Sequence, residues 1–291
     1  MNKKSVSILD CRIDCFDFND TIEYIDFLLH GQTISYAVTL NPEIILLAQS
    51  DPTLKSIINS SSLSTADGAG LLWANGFLKS PNTNLPVIKY LQIIWQFATS
   101  LFLFAIQIKS QYSSVPERVT GTDLVPEIAK LCAKQKYQLY LLGAGPGVAV
   151  KTADRLRSIN PALNIVGTSA NDWLPEYDQT NIDSINQSGA SCLLIAYGAP
   201  RDQFWLARNK DKLINIRFAM GVGGAFDFIA EETSILGGKK AVRAPGWLRR
   251  LHLEWLHRLY LQPDRLSRIF NAVIVFPFRV LVYKLGKKNP T

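Results

Sequence analysis

The stretch "ISYAVTLNPEIILLAQ", residues 34–49, holds the change of pattern that decides the fold. Residues 34–40 are rich in β-branched and apolar side chains, as a strand buried on both faces requires. Asn41 can then cap a helix, Pro42 suits the first helical position because its missing N–H is not needed there, and Glu43 suits the positive helix end. A strand passing at once into a helix is the unit this predicts. The same unit recurs in "SLSTADGAGLLWA" (62–74), "YQLYLLGAGPGVAVKTADRL" (137–156), "SCLLIAYGAPRDQFWLARN" (191–209) and "IRFAMGVGGAFDFIA" (216–230). Strands alternating with helices imply an α/β fold, a parallel sheet covered by helices on both faces. In such sheets ligands bind beyond the carboxyl ends of the strands. Asn41, Asp67, Gly143, Gly198 and Gly221 all fall at that edge.

Two segments depart from the pattern. Residues 85–108 are nearly all apolar, with Lys89 and Lys109 the lysines that bracket the greasiest part. The length between them approaches bilayer thickness. A single span would nevertheless put the first two strand–helix units across the membrane from the other three and divide the sheet. Gln92, Gln96, Ser100 and Gln107 also recur at helical spacing. The expectation is a helix in the membrane interface, with a helix docked on a partner subunit as the second choice. The other segment is the tail. Of 31 Lys/Arg, twelve lie from Lys239 onward, with only two of the 24 acids, so the tail carries +10 and the rest −3. The expected organisation is a body over residues 1–238, with the apolar helical insertion near 84–112, and a basic amphipathic appendage over 239–291. An anionic partner is implied: phosphates, nucleic acid or an acidic membrane surface. In the tail, Trp247, Leu248, Leu251, Trp255 and Leu259 share one helical face, which suits a core or lipid better than stacked bases.

The four cysteines (Cys11, Cys15, Cys132, Cys192) and three histidines form no metal-ligand pattern, so reduced thiols and a cytosolic setting are expected. "MNKKSVSILDCRID" has no apolar run before its acids, so no signal peptide is expected. "GAGPGVA" (143–149) fails the dinucleotide fingerprint, because Val148 stands where the third glycine belongs and no acid closes the next strand. "GVGGAFD" is a better phosphate cradle: glycines let backbone N–H groups approach an anion, and Asp227 can read a hydroxyl. Close helix–strand packing explains the same glycines. "ERVTGTD" (117–123) alone reads as a turn. Arg243, Arg250, Arg258, Arg265 and Arg268 can clamp a pyrophosphate by forked hydrogen bonds, or form a solvated basic face. Asp67, isolated in "TADGAG", is the candidate general base. With no Asp-x-Asp pair, one base, glycine turns and arginines suit a metal-free inverting displacement, cations neutralising the leaving pyrophosphate.

Taken together, "TLNPEI", "ADGAG", "ERVTGTD", "LLGAGPGVA", "YGAPRDQFW", "GVGGAFDF", "RAPGWLRRLHLEWLHRL" and "QPDRLSR" resemble, in order, the WecG/TagA/CpsF family of glycosyltransferases. The resemblance implies a Rossmann-like enzyme that moves a sugar, often N-acetylmannosamine, from a UDP-sugar to a polyprenyl-diphosphate-linked acceptor sugar during surface polysaccharide synthesis. No metal or other cofactor is implied. It makes Asp67 the base, and places Thr39 and Asn41 in the same pocket. The expected substrate-binding set is Thr39, Asn41, Gly68, Arg118, Gly121, Asp123, Gly143, Gly145, Gly198, Arg201, Gln203, Gly221, Gly223, Asp227, Arg243, Arg258, Arg265 and Arg268. The protein is expected to be peripheral on the inner face of the cytoplasmic membrane, touching it through 85–108 and the appendage, with homo-oligomers possible and nucleic acid not a partner. Three departures stand out. Pro200-Arg201-Asp202-Gln203 replaces the family's Pro-Lys-Gln-Glu, the greasy segment is inserted between the Asp67 and Arg118 regions, and the link before the appendage is longer and has Glu231 where a glycine is expected. The alternatives are a basic nucleic-acid-binding protein and a catalytically degenerate relative acting as a scaffold.

Overall fold

The computed structural model describes residues 4–106, 108, 110–230 and 266–286. An N-terminal hairpin of β1 (Ser5–Ile8) and β2 (Cys11–Asp14) precedes helix α1 (Phe18–Leu29). The main sheet contains β3 (Ser35–Leu40), β4 (Leu63–Ala66), β5 (Leu139–Gly143), β6 (Ile165–Ser169), β7 (Cys192–Ala196) and β8 (Phe218–Gly221). Its order is β4-β3-β8-β7-β5-β6, and every pairing is parallel. The five strand–helix units read from the sequence supply β3, β4, β5, β7 and β8. The hairpin was not anticipated. It lies along β4, where the Ser64 amide donates to the buried Asp14 carboxylate at 2.8 Å and the Ser64 hydroxyl donates to the Arg12 carbonyl at 2.7 Å.

Alternate residues of the central strands enter two separate cores, the period-two consequence of burying both faces. Tyr36, Val38 and Leu40, Tyr140 and Leu142, and Leu193 and Ile195 join one. Ala37, Leu139, Leu141, Cys192, Leu194, Phe218 and Met220 join the other. The first face is covered by α2 (Pro42–Ser50), α3 (Pro52–Ser60), α4 (Ala69–Lys79), α5 (Pro86–Ala105), α8 (Asp178–Ser188) and α9 (Arg201–Asn209). The second is covered by α1, α6 (Gly121–Gln135), α7 (Val148–Ile159) and α10 (Ala225–Ile229). Crossovers that step toward β4 run over the first face, and those that step toward β6 arrive over the second, as crossovers of a single hand must. This is a Rossmann-like α/β architecture.

A final helix, α11 (Leu266–Gly286), returns to the first face, where Phe276 and Val280 are fully buried. The 238/239 boundary and most of the appendage lie outside the described residues, as do Glu231, Trp247 and Trp255. Lys284 fastens α11 to the body. Its buried ammonium donates to the carbonyls of Phe77 and Ser80, the Ser80 hydroxyl and Gln96 Oε1, and lies 4.5 Å from the Phe77 ring centroid. Burial pulls this lysine down to about 8.

Helix α5 packs on α4 and α11 with its polar stripe inward. Gln92 accepts from the Thr83 amide and donates to the Pro81 carbonyl, Gln96 meets Pro81, Ser80 and Lys284, and Ser100 accepts from the Trp73 indole at 3.1 Å. Gln107 lies outside the described residues. The apolar stripe faces outward: Val87, Leu91, Trp95 and Phe102 are 75%, 66%, 71% and 65% exposed. On α11, Leu266, Phe270, Ile274, Phe278 and Val282 form a second exposed apolar stripe at four-residue spacing.

Candidate functional site at the carboxyl edge of the sheet

Asp67 is the first residue beyond β4. Its amide closes the ladder by donating to the Leu40 carbonyl at 2.7 Å, which holds its backbone beside the end of β3. Thr39 is buried in β3, in register with Thr65 two residues before Asp67. Asn41 caps α2, its side chain accepting from the Ile44 amide at 3.0 Å, so its carboxamide oxygen has a structural task as well. Gly68 is the N-cap of α4. A Cβ there would lie 2.6 Å from Pro42 Cδ, and one at Gly70 would meet Pro42 at 3.2 Å and Phe276 at 3.8 Å. The glycines around Asp67 therefore bring the N-terminus of α4 against that of α2 and against α11. The result leaves Asp67 half-buried at a junction of two helix starts.

The segment before α6 closes on the same place. The Val119 amide donates to the Ala66 carbonyl at 2.8 Å, and the Thr65 hydroxyl reaches the Val119 carbonyl at 3.4 Å. Half-buried Arg118 is thus adjacent to the residue bonded to Ala66, the last residue before Asp67. Gly121 starts α6 against the Val222 carbonyl, where a Cβ would sit at 3.4 Å. The acids of "ERVTGTD" serve helix starts. Glu117 accepts from the Phe18 amide of α1 at 2.7 Å, and Asp123 accepts from the Thr120 hydroxyl at 2.7 Å while its own amide donates back at 3.1 Å. Thr120 to Asp123 is a reciprocal cap of α6.

The glycine turns after β5, β7 and β8 adjoin one another along the edge. Gly143, Gly147, Gly198 and Gly223 have positive φ, conformations that disfavour a side chain. The Ala144 amide donates to the Ala196 carbonyl, and Val222 to Ile195, joining the three turns. Gly145 is buried in the first of them, and Asp227 lies in the first turn of α10. Arg201, exposed at the start of α9, lies 5.7 Å from the Trp173 ring centroid. Gln203 is 3% exposed, and its carboxamide oxygen has no partner among the described residues.

Asp202 is the residue that sequence reasoning undervalued. It is buried, accepting the Tyr197 amide on Oδ1 at 2.7 Å and the Gly223 amide on Oδ2 at 3.2 Å. It staples the turn after β7 to the turn after β8. Burial pushes its carboxyl up to about 7, against the opposing pull of these backbone donors and of Arg201. Gly221 permits the staple, since a Cβ there would lie 2.7 Å from Asp202 Cβ. An aspartate four residues after the glycine of a strand-ending turn carries that possibility, but its partner strand is unreadable without the sheet order.

Of the tail arginines in the expected binding set, Arg268 is described. Its Nε pairs with Glu43 Oε1 at 3.1 Å, placing it at the first turn of α2, beside the Asn41 cap. Arg243, Arg258 and Arg265 lie outside the described residues.

Fold and edge together define a Rossmann-like α/β protein with acids, glycine turns and arginines along the strand ends. Comparison with known proteins places it further. The family model described as "Glycosyl transferase WecG/TagA/CpsF family" matches residues 6–105 and 100–290, so the chain belongs to this family of glycosyltransferases. The two matched stretches overlap at residues 100–105, at the end of α5. The chain is also 24% identical, over 266 residues, to an N-acetylglucosaminyldiphosphoundecaprenol N-acetyl-beta-D-mannosaminyltransferase of Bacillus spizizenii (strain ATCC 23059 / NRRL B-14472 / W23). That similarity spans 89% of this chain and 86% of the relative.

Proposed function

We propose that this glycosyltransferase moves a sugar, N-acetylmannosamine or a related hexose, from a UDP-sugar to a polyprenyl-diphosphate-linked acceptor sugar. The relative's name supports a lipid-linked N-acetylglucosamine acceptor and N-acetylmannosamine as the sugar transferred. The observation that carries the reading is the position of Asp67, held at the strand edge by the Leu40 carbonyl and flanked by the Arg118 segment.

In this mechanism Asp67 takes the proton of the acceptor hydroxyl as its oxygen attacks the anomeric carbon. The bond from that carbon to the nucleotide diphosphate breaks on the opposite side, so the configuration inverts and UDP leaves. The diphosphate lies along the edge formed by the turns after β7 and β8, and Arg118, Arg201 and the tail arginines neutralise its developing charge. No step calls for a metal. The protein works at the inner membrane surface, which it meets through the outward apolar stripes of α5 and α11. A stripe that shows Leu, Val, Trp and Phe outward and Gln and Ser inward reverses the usual order for a helix facing water.

The test is a panel of UDP-sugars offered with a lipid-diphosphate N-acetylglucosamine acceptor in detergent and EDTA, with UDP release and product anomer followed. One donor should turn over with inversion in the presence of EDTA. Retention of configuration, or activity abolished by EDTA and restored by a divalent ion, would contradict the mechanism.

A further inference from the structure

Beneath α5 lies a cavity of about 470 Å³, within the roughly 300–1,000 Å³ range of small-molecule sites. Its walls are α4, α5 and the segment leading to α6, with Leu72, Trp73, Leu103, Phe104 and Tyr112 among them. Among the described residues, no charged side chain lines it. Several of its polar groups are bonded to protein: Ser100 to Trp73, Ser80 to Gln96, and Ser113 to Asn75. The nearby Lys284 ammonium is spent on Phe77, Ser80 and Gln96, and an uncharged apolar chain meets matching walls.

The cavity has two further properties. One end reaches Ala69 and Pro116, two residues from Asp67 and two from Arg118. Its outer wall is α5, whose opposite side is the exposed apolar stripe. It therefore joins the reacting edge to the surface read as facing the bilayer. An acceptor whose sugar lies at Asp67 and whose tail lies in lipid must send its chain past α4 and α5.

We propose that this cavity receives the isoprenoid chain of the lipid-linked acceptor, gripping the units nearest the diphosphate. The proposal rests on the acceptor class given above. It assigns the inserted helix a substrate-binding role in addition to membrane contact.

The test uses farnesyl diphosphate bearing a terminal diazirine, in phosphatidylglycerol–phosphatidylcholine vesicles carrying the full-length protein. Photolabelling should reach Leu72, Leu103, Phe104 or Tyr112, and unlabelled polyprenyl diphosphate should displace it while excess phospholipid does not. Thr99 also lines the cavity, and Thr99→Trp should fill it. That variant should lower cavity labelling, and should cut the ratio of kcat/KM for a polyprenyl-linked over a hexyl-linked acceptor about tenfold. Labelling confined to the outward residues Val87, Leu91 and Trp95, no labelling at all, or equal displacement by phospholipid overturns the proposal. An unchanged acceptor ratio in a folded Thr99→Trp protein overturns it as well. Labelling needs no turnover, so wild-type transfer to the hexyl-linked acceptor tests the function separately. Transfer without cavity labelling defeats the cavity alone, and cavity labelling without transfer defeats the function.

Discussion

At the scale of single residues, three acids near the edge have structural tasks, and Asp67 is the acid proposed to act on a substrate. Glu117 and Asp123 serve helix starts, and Asp202 ties two turns. The Asp202 carboxyl, pushed up to about 7, keeps in the folded protein a proton that the unfolded chain gives up near its ordinary value of about 4. The unfolded state binds fewer protons between these values, so the Asp202 contribution to stability is full below about 4 and declines as pH rises through 7. An Asp202→Asn variant replaces one acceptor with a donor facing a backbone N–H, at a cost of about 1–3 kcal/mol. Thermal unfolding of both proteins across this window should show the gap between them narrowing as pH rises. A gap that widens would mean the carboxylate, not the acid, is the form the fold favours. Asp67 stood out in the sequence as an isolated acid beside glycines, and the structure puts it at the strand edge. The glycines beside it were visible in the sequence, but their contacts were not, since Pro42 and Phe276 come from other parts of the chain.

At the scale of elements, α5 shows how far periodicity goes. Its polar stripe at Gln92, Gln96 and Ser100 was evident in the sequence. Which way the stripe faced was not, because the groups it meets, Pro81, Ser80, Trp73 and Lys284, are assembled by α4 and α11. The structure turns it inward and leaves the apolar side bare. Replacing exposed Leu91 and Trp95 by glutamate should leave the circular dichroism and unfolding midpoint nearly unchanged. It should weaken binding to anionic vesicles by at least about tenfold, given roughly 1.5–3 kcal/mol for each large apolar side chain withdrawn from lipid. Undiminished vesicle binding would assign α5 to a protein partner, and sedimentation would then show whether that partner is a second copy.

At the scale of the whole molecule, the sheet was legible because both of its faces are buried, so each strand reads as an apolar run that stops at a cap or glycine. The strand order was not, because parallel crossovers leave no local mark of which strand lies beside which. The hairpin along β4 was missed for a related reason: two four-residue strands offer too short a pattern. The carboxyl edge itself was correctly located, since any parallel sheet sends its strand ends to one side. The cavity beneath α5 needed three separated segments brought together and had no sequence signature.

The central claim is that Asp67 activates the acceptor, and a kinetic comparison of wild type with Asp67→Asn tests it most directly. With the donor found active, UDP release and transfer to the lipid-linked acceptor should fall by about 10²–10⁴-fold in the variant, with nucleotide affinity and unfolding midpoint little changed. Asparagine keeps the shape and removes the base, so activity within a fewfold of wild type would contradict the account and move the search for the base elsewhere along the strand edge.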